Sequence, residues 1–293
     1  MNKKLTIAAF VACVAQSSAI ISLSNGDLTV DISEVNGAID LYQFTDENGV
    51  TSDYFNLGAP VSDYGFQIGT DTSTFAYANT SDAISGGMII TSVTSVGTGV
   101  QVSGVYTGAG TSVSFNRVYS LVAGQDNLKV TTTLTNEAAA NSVRMFDTFD
   151  PDQGSGLGVG TQTYNDVYNV SGHTLASAYI DSSGYNHTAI LYAEDGQSPV
   201  LAAGGPFQIN NGSALNSFFD APVDGEGTYA DMGIHIGFEE FLETGESVEF
   251  TYFLATAETI EAVVDDVGTT VPEPTTTGLA AAGLLGLLVR RRR

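Results

Sequence analysis

The stretch Val113-Ser114-Phe115-Asn116-Arg117-Val118-Tyr119-Ser120-Leu121 runs to a turn at Gly124-Gln125-Asp126-Asn127. It returns as Leu128-Lys129-Val130-Thr131-Thr132-Thr133-Leu134-Thr135-Asn136. Aliphatic and aromatic residues alternate with polar ones on both sides of the turn. That period of two predicts paired strands with one face toward a core. Val, Thr, Phe and Tyr suit a pleated, half-buried surface. Working outward, similar runs recur at Leu28 to Ile32, Ala38 to Phe44, Tyr64 to Ile68, Met88 to Val93 and Val100 to Tyr106. After a break they resume at Val143 to Phe146, Thr188 to Tyr192, Pro199 to Ala203, Met232 to Phe238 and Val248 to Ala255. Asn36-Gly37 and Asp46-Glu47-Asn48-Gly49 supply hairpin-type turns. No stretch before residue 255 holds a helical period beyond two or three turns, so helices should be few. The expectation is an all-β chain whose residues 20–266 form one large antiparallel β-sandwich. No internal repeat points to a propeller or β-helix.

Composition agrees. The 293 residues are 43% hydrophobic and only 14% charged, which excludes wholesale disorder. Charge is lopsided, with 33 Asp and Glu against 9 Lys and Arg. Six of the bases are terminal, at Lys3, Lys4 and Arg290 to Arg293, leaving Arg117, Lys129 and Arg144 in the body. A phosphate backbone requires a basic footprint, so nucleic acid is excluded as a partner.

The N-terminus reads as an export signal over residues 1–19: two lysines, the apolar run Leu5 to Val14, and Ser17-Ser18-Ala19 with small residues at −3 and −1. Cleavage is expected after Ala19, by way of the Sec machinery. Phe10-Val11-Ala12-Cys13 approximates a lipobox, leaving lipidation of Cys13 as an alternative. Otherwise the single cysteine departs with the signal helix, and the mature body holds together without thiols. At the other end, residues 267–277 form a linker carrying Val271-Pro272-Glu273-Pro274. Residues 278–293 hold a short apolar helix closed by Arg290, Arg291, Arg292 and Arg293. The twelve residues Gly278 to Val289 reach about 18 Å as a helix, short of a ~30 Å hydrocarbon core unless flanking residues assist. The arginines should remain cytoplasmic and leave the body outside.

This tail resembles the PEP-CTERM sorting signal of Gram-negative, exopolysaccharide-producing bacteria. The resemblance implies recognition of Pro272-Glu273-Pro274 by an exosortase, a transient precursor in the inner membrane, and delivery to the cell surface or exterior. The hairpin at 113–136 and the opening Leu23-Ser24-Asn25-Gly26-Asp27-Leu28-Thr29-Val30 resemble the galactose-mutarotase-like proteins, which implies a supersandwich. That family's acid-base chemistry uses His and Glu with further His and Arg around the sugar. Those residues do not align here, so no catalytic residue is assigned.

Chemistry-bearing residues are scarce. His235 alternates within a strand and His187 lies in an expected surface turn. No His-Glu-x-x-His pair, Gly-x-Ser-x-Gly elbow or cysteine nucleophile occurs. Gly154 to Gly160 lacks the Lys-Ser/Thr ending of a phosphate loop and reads as a mobile surface loop. Asp147, Asp150 and Asp152 stand beside those glycines as candidate Ca²⁺ ligands, with Asp166 as a candidate returning ligand. The competing reading is a solvated acidic loop; a glycosidase pair is a third. No other cofactor is implied.

The expectation is thus an exported, exosortase-sorted surface or matrix protein with a non-catalytic β-sandwich, structural or associated with extracellular polysaccharide. A carbohydrate-active enzyme (lyase, epimerase or hydrolase) is the alternative, resting on fold resemblance alone.

Overall fold

The computed structural model describes residues 19–257, except 56–61, 82, 109, 156, 171–172, 183–184 and 207. The signal segment before Ala19 and everything beyond Ala257, including the Pro-Glu-Pro motif and the Arg tail, lie outside the described residues. No helix among the described residues is long and apolar enough to cross a membrane.

In chain order the strands begin with β1 (Ile20–Ser24), β2 (Leu28–Ser33), β3 (Ile39–Thr45), β4 (Thr51–Asp53), β5 (Ser62–Ile68) and β6 (Ala76–Asn79). Next come β7 (Met88–Val96), β8 (Gly99–Gly108), β9 (Thr111–Leu121), β10 (Asn127–Asn136), β11 (Asn141–Phe149) and β12 (Thr163–Val170). The chain continues through β13 (His173–Ser182), β14 (Tyr185–Ala193) and β15 (Val200–Ala203). After the helix α1 (Gly212–Asp220) it ends with β16 (Thr228–Ala230), β17 (Ile234–Leu242) and β18 (Ser247–Ala257).

All the pairings are antiparallel, in three sheets. β1-β2-β3-β4 form a four-stranded sheet, and β16-β12-β13-β14-β18-β10-β9-β8-β7 a nine-stranded one. β15-β17-β11-β5-β6 form a five-stranded sheet. The expected hairpin is β9–β10, with Phe115 opposite Leu134, Arg117 opposite Thr132 and Tyr119 opposite Val130. The inner face of the large sheet packs on the five-stranded sheet, for example through Phe66 against Phe115 and Phe238 stacked on Phe250 at 4.7 Å. The four-stranded sheet covers the same face. Tyr42 donates its hydroxyl to the Leu254 carbonyl at 2.8 Å, and Tyr119 donates to the Gly37 carbonyl at 2.7 Å. Gly37 turns β2 into β3 at φ +75°, a left-handed conformation that glycine accepts freely. A continuous apolar core draws on residues of all three sheets.

Burial follows the period-two alternation. On β9, Val113, Phe115, Arg117 and Tyr119 are buried, while Ser114, Asn116 and Ser120 are half-buried on the opposite face. That inward arginine is the exception the pattern does not anticipate. The five-stranded sheet buries its other face too, because α1 lays Leu215 and Phe218 over Phe146 and Ala202. Asn211 caps α1, its side chain accepting from the Ala214 amide at 2.9 Å.

Candidate metal centre

Asp147 lies within β11 and Asp150 and Asp152 just beyond its end, and the structure separates them. On β11, Met145, Asp147 and Phe149 alternate onto the inner face, so Asp147 points between the sheets. Its carboxylate takes two hydrogen bonds from the Arg117 guanidinium, Nη1 to Oδ2 at 3.0 Å and Nη2 to Oδ1 at 2.5 Å. Both side chains are 1% exposed. Arg117 also donates to the hydroxyls of Tyr119 at 2.7 Å and Tyr252 at 2.8 Å, and its guanidinium lies 4.8 Å from the Tyr64 ring centroid. Burial pushes the Asp147 carboxyl upward while Arg117 pulls it back. Asp147 is therefore the internal partner of Arg117 and stands apart from the acidic grouping beyond the strand end.

Asp150 and Asp152 occupy that position, at the start of the loop after β11. They are buried, 6% and 2% exposed, rather than solvated. The loop's own bonds hold them there. Asp152 donates its backbone amide to the Tyr54 carbonyl at 2.8 Å and accepts at its carbonyl from the Ser155 amide at 2.9 Å. Ser52 donates its hydroxyl to the Gln153 carbonyl. Gln153 in turn donates to the carbonyls of Ala178 and His187 at 3.1 and 3.3 Å. Phe149, the last residue of β11, stacks on Phe55. Although Gly158 and Gly160 are exposed, Gly154 is buried, so the glycine run is anchored at its root.

The third acid comes from far along the chain. Asp231 follows β16, which pairs with β12 so that Ala230 faces Thr163. Thr161 donates its hydroxyl to Asp231 Oδ2 at 3.3 Å. Asp150, Asp152 and Asp231 each offer a carboxylate oxygen, and these oxygens lie within 4.8 Å of one another. Burial, then Asp152, then Asp231 raise the Asp150 carboxyl to about 8; burial and Asp231 raise Asp152 to about 6. Asp166, the expected returning ligand, faces Asp224 instead. Nothing local in the sequence marks Asp231 as a partner; only the β12–β16 pairing brings it in.

The histidines also differ from expectation. His187 is fully buried in β14, ring-edge to Phe44 at 5.7 Å, because its strand faces the four-stranded sheet rather than ending in a surface turn. His235 is 2% exposed, its Nδ1 is 3.1 Å from Thr148 Oγ1, and burial lowers it to about 4. In register beyond Thr148 sits Asp63, also buried, raised to about 7 by desolvation. His173 reaches Asp195 at 3.5 Å near the surface.

The comparisons with known proteins divide the chain in two. Residues 270–293 match the family model of the PEP-CTERM protein-sorting motif. The match spans Val271 to Pro274 and the terminal arginines, and marks the protein as exported and exosortase-sorted. The body is similar in fold to galactose-mutarotase-like structures. One is a provisionally assigned aldose 1-epimerase from Escherichia coli K12, at 11% identity and TM-score 0.47, over 82% of this chain and 99% of that one. Another is a galactose mutarotase-like protein from Lactobacillus casei ATCC 334, at 10% identity and TM-score 0.45, over 81% and 100%. A third is an aldose epimerase homologue from C. elegans, at 10% identity and TM-score 0.44, over 82% and 99%. No curated protein matches the chain in sequence.

Proposed function

We propose that the β-sandwich over residues 20–266 is a non-catalytic surface or matrix protein. In this reading it is released from a signal segment after Ala19, processed by an exosortase at Pro272-Glu273-Pro274, and retained outside the cell by contact with polysaccharide. The observation that carries the reading is the sorting motif at 270–293, a delivery device for cargo that works beyond the inner membrane. The outer face of the large sheet supports it. Gln101, Ser103, Ser114, Asn116, Thr131, Thr133 and Thr135 are half-buried there, and Thr91, Ser92 and Thr94 are exposed on β7. These side chains are uncharged donors and acceptors, the chemistry that meets a hydroxyl-rich polymer without counter-ions. Arg117 and Asp147 pair with each other in the interior and are sealed from solvent.

A carbohydrate-active enzyme is the second reading, favoured by one observation. Asp150 and Asp152 are buried acids whose carboxylate oxygens come within 4.8 Å of each other.

The test has two parts. Fractionation of the native host should find the body outside the cytoplasm, shortened at both ends, while Glu273→Ala accumulates as membrane-bound precursor. Full-length protein dissolved in the cytosol would overturn the reading. The purified body is then offered the host's exopolysaccharide. Retention without turnover, weakened by Thr133→Glu, is expected; turnover abolished by Asp150→Asn would move the assignment to the enzyme.

A further inference from the structure

Two residues of the loop after β11 and one residue beyond β16 converge on a single point, and all three are acids. Asp150 and Asp152 are buried, Asp231 is exposed, and Asp152 Oδ1 is sealed from solvent with no hydrogen-bond partner. A buried carboxylate oxygen without a donor is costly unless a proton or a cation meets it. The body has three Lys and Arg residues to offer, and each is engaged elsewhere. Arg117 holds Asp147, Lys129 reaches Glu194 at 3.1 Å, and Arg144 reaches Glu239 at 3.0 Å. His187 lies toward Asp46, at 3.9 Å. Among the described residues, no Lys or Arg is paired with this cluster.

We infer that Asp150, Asp152 and Asp231 form a Ca²⁺ site that fastens the loop after β11 to the end of edge strand β16. The donor set is carboxylate oxygen only, which selects a hard cation over the softer metals that prefer imidazole or thiolate. Ca²⁺ accepts six to eight oxygens in irregular geometry, whereas Mg²⁺ demands a tight octahedron and keeps its water. Carboxylates from an irregular loop and a distant strand end suit the larger ion. The ion bridges segments some eighty residues apart, linking the end of the five-stranded sheet to the edge of the large one.

This inference is independent of the sorting reading and of polysaccharide binding, and either can fail alone. The experiment uses the full-length chain in detergent, stripped with chelator and titrated with Ca²⁺, Mg²⁺ and Tb³⁺. Tb³⁺ luminescence is excited through tyrosine, since the chain has 13 tyrosines and no tryptophan. One saturable Tb³⁺ site displaced by Ca²⁺ is expected. With a Kd in the range of extracellular modules, about 5 mM Ca²⁺ should multiply the folded-to-unfolded ratio roughly five- to fiftyfold, read as a rise in Tm. Mg²⁺ at the same concentration should do much less. Asp231→Asn changes an exposed side chain and should fold normally while losing the Ca²⁺ response. Asp152→Asn should lose it too, and Asp224→Asn, outside the cluster, should keep it. Absence of a saturable Tb³⁺ signal, or an Asp231→Asn protein that responds like wild type, would overturn the site.

Discussion

Replacing Asp63 with asparagine should stabilise the fold at neutral pH and not at acid pH. Asp63 is fully buried on β5, beside Thr148. Desolvation raises its carboxyl to about 7, with the Gln208 amide offering only partial compensation, short of a well-formed hydrogen bond. In the unfolded chain the group titrates near 3.8. Below that pH both states hold the proton and the group is neutral in its effect. Between about 4 and 7 the unfolded chain ionises while the native state keeps its proton, so stability falls as pH rises. Above 7 both are ionised and the loss is complete. A difference of about three in pKa, at 1.36 kcal/mol for each, amounts to roughly 4 kcal/mol. Asparagine has nearly the same shape and does not titrate. Its packing and hydrogen-bonding cost is the same at both ends of the pH range, so the change in its effect isolates the carboxyl. Urea unfolding of wild type and Asp63→Asn, followed by circular dichroism at pH 4 and pH 8, gives that quantity. The mutant's stability relative to wild type should improve by about 3–4 kcal/mol between the two values. A relative stability that does not change with pH would refute the reasoning, because the buried acid would then carry no desolvation cost.

Breaking the Arg117–Asp147 pair by Asp147→Leu should cost about 3–5 kcal/mol in thermal or urea unfolding, since a buried guanidinium is left without its counter-charge. The double replacement Arg117→Met, Asp147→Leu should recover much of it, and additive losses would speak against coupling. Asn211→Ala removes the cap of α1 and should lower stability by about 1 kcal/mol, read from the urea midpoint. A body beginning at Ile20 contains no cysteine, so its Tm should be the same with and without reductant. A drop in reductant would point to an intermolecular or unprocessed thiol.

Much of the architecture is written locally. The alternation in Val113 to Leu121 and Leu128 to Asn136 sets which side chains enter the core, and the two segments pair as a hairpin. β12 and β13 were not legible in the same way. Tyr164-Asn165-Asp166-Val167-Tyr168-Asn169 puts amides and an acid through a strand, and its place comes from pairing with β13 and β16. α1 is hard to discern in the sequence because its nine residues make only about two and a half turns, although Asn211 before Leu215 and Phe218 is a capping residue. Asp147, Asp150 and Asp152 are near neighbours in sequence, yet the pleat sends the first inward and the strand end releases the other two.

The amino-acid order by itself determined the all-sheet body, the lack of a thiol framework and the sorting motif at the C-terminus. Each is a local property of pattern or composition, legible without knowing what lies across from it. Tertiary structure alone decided the partners of the charges: Arg117 for Asp147, and Asp231 for Asp150 and Asp152. Charges act through space, and strand pairing between distant segments decides which ones share a low-dielectric interior.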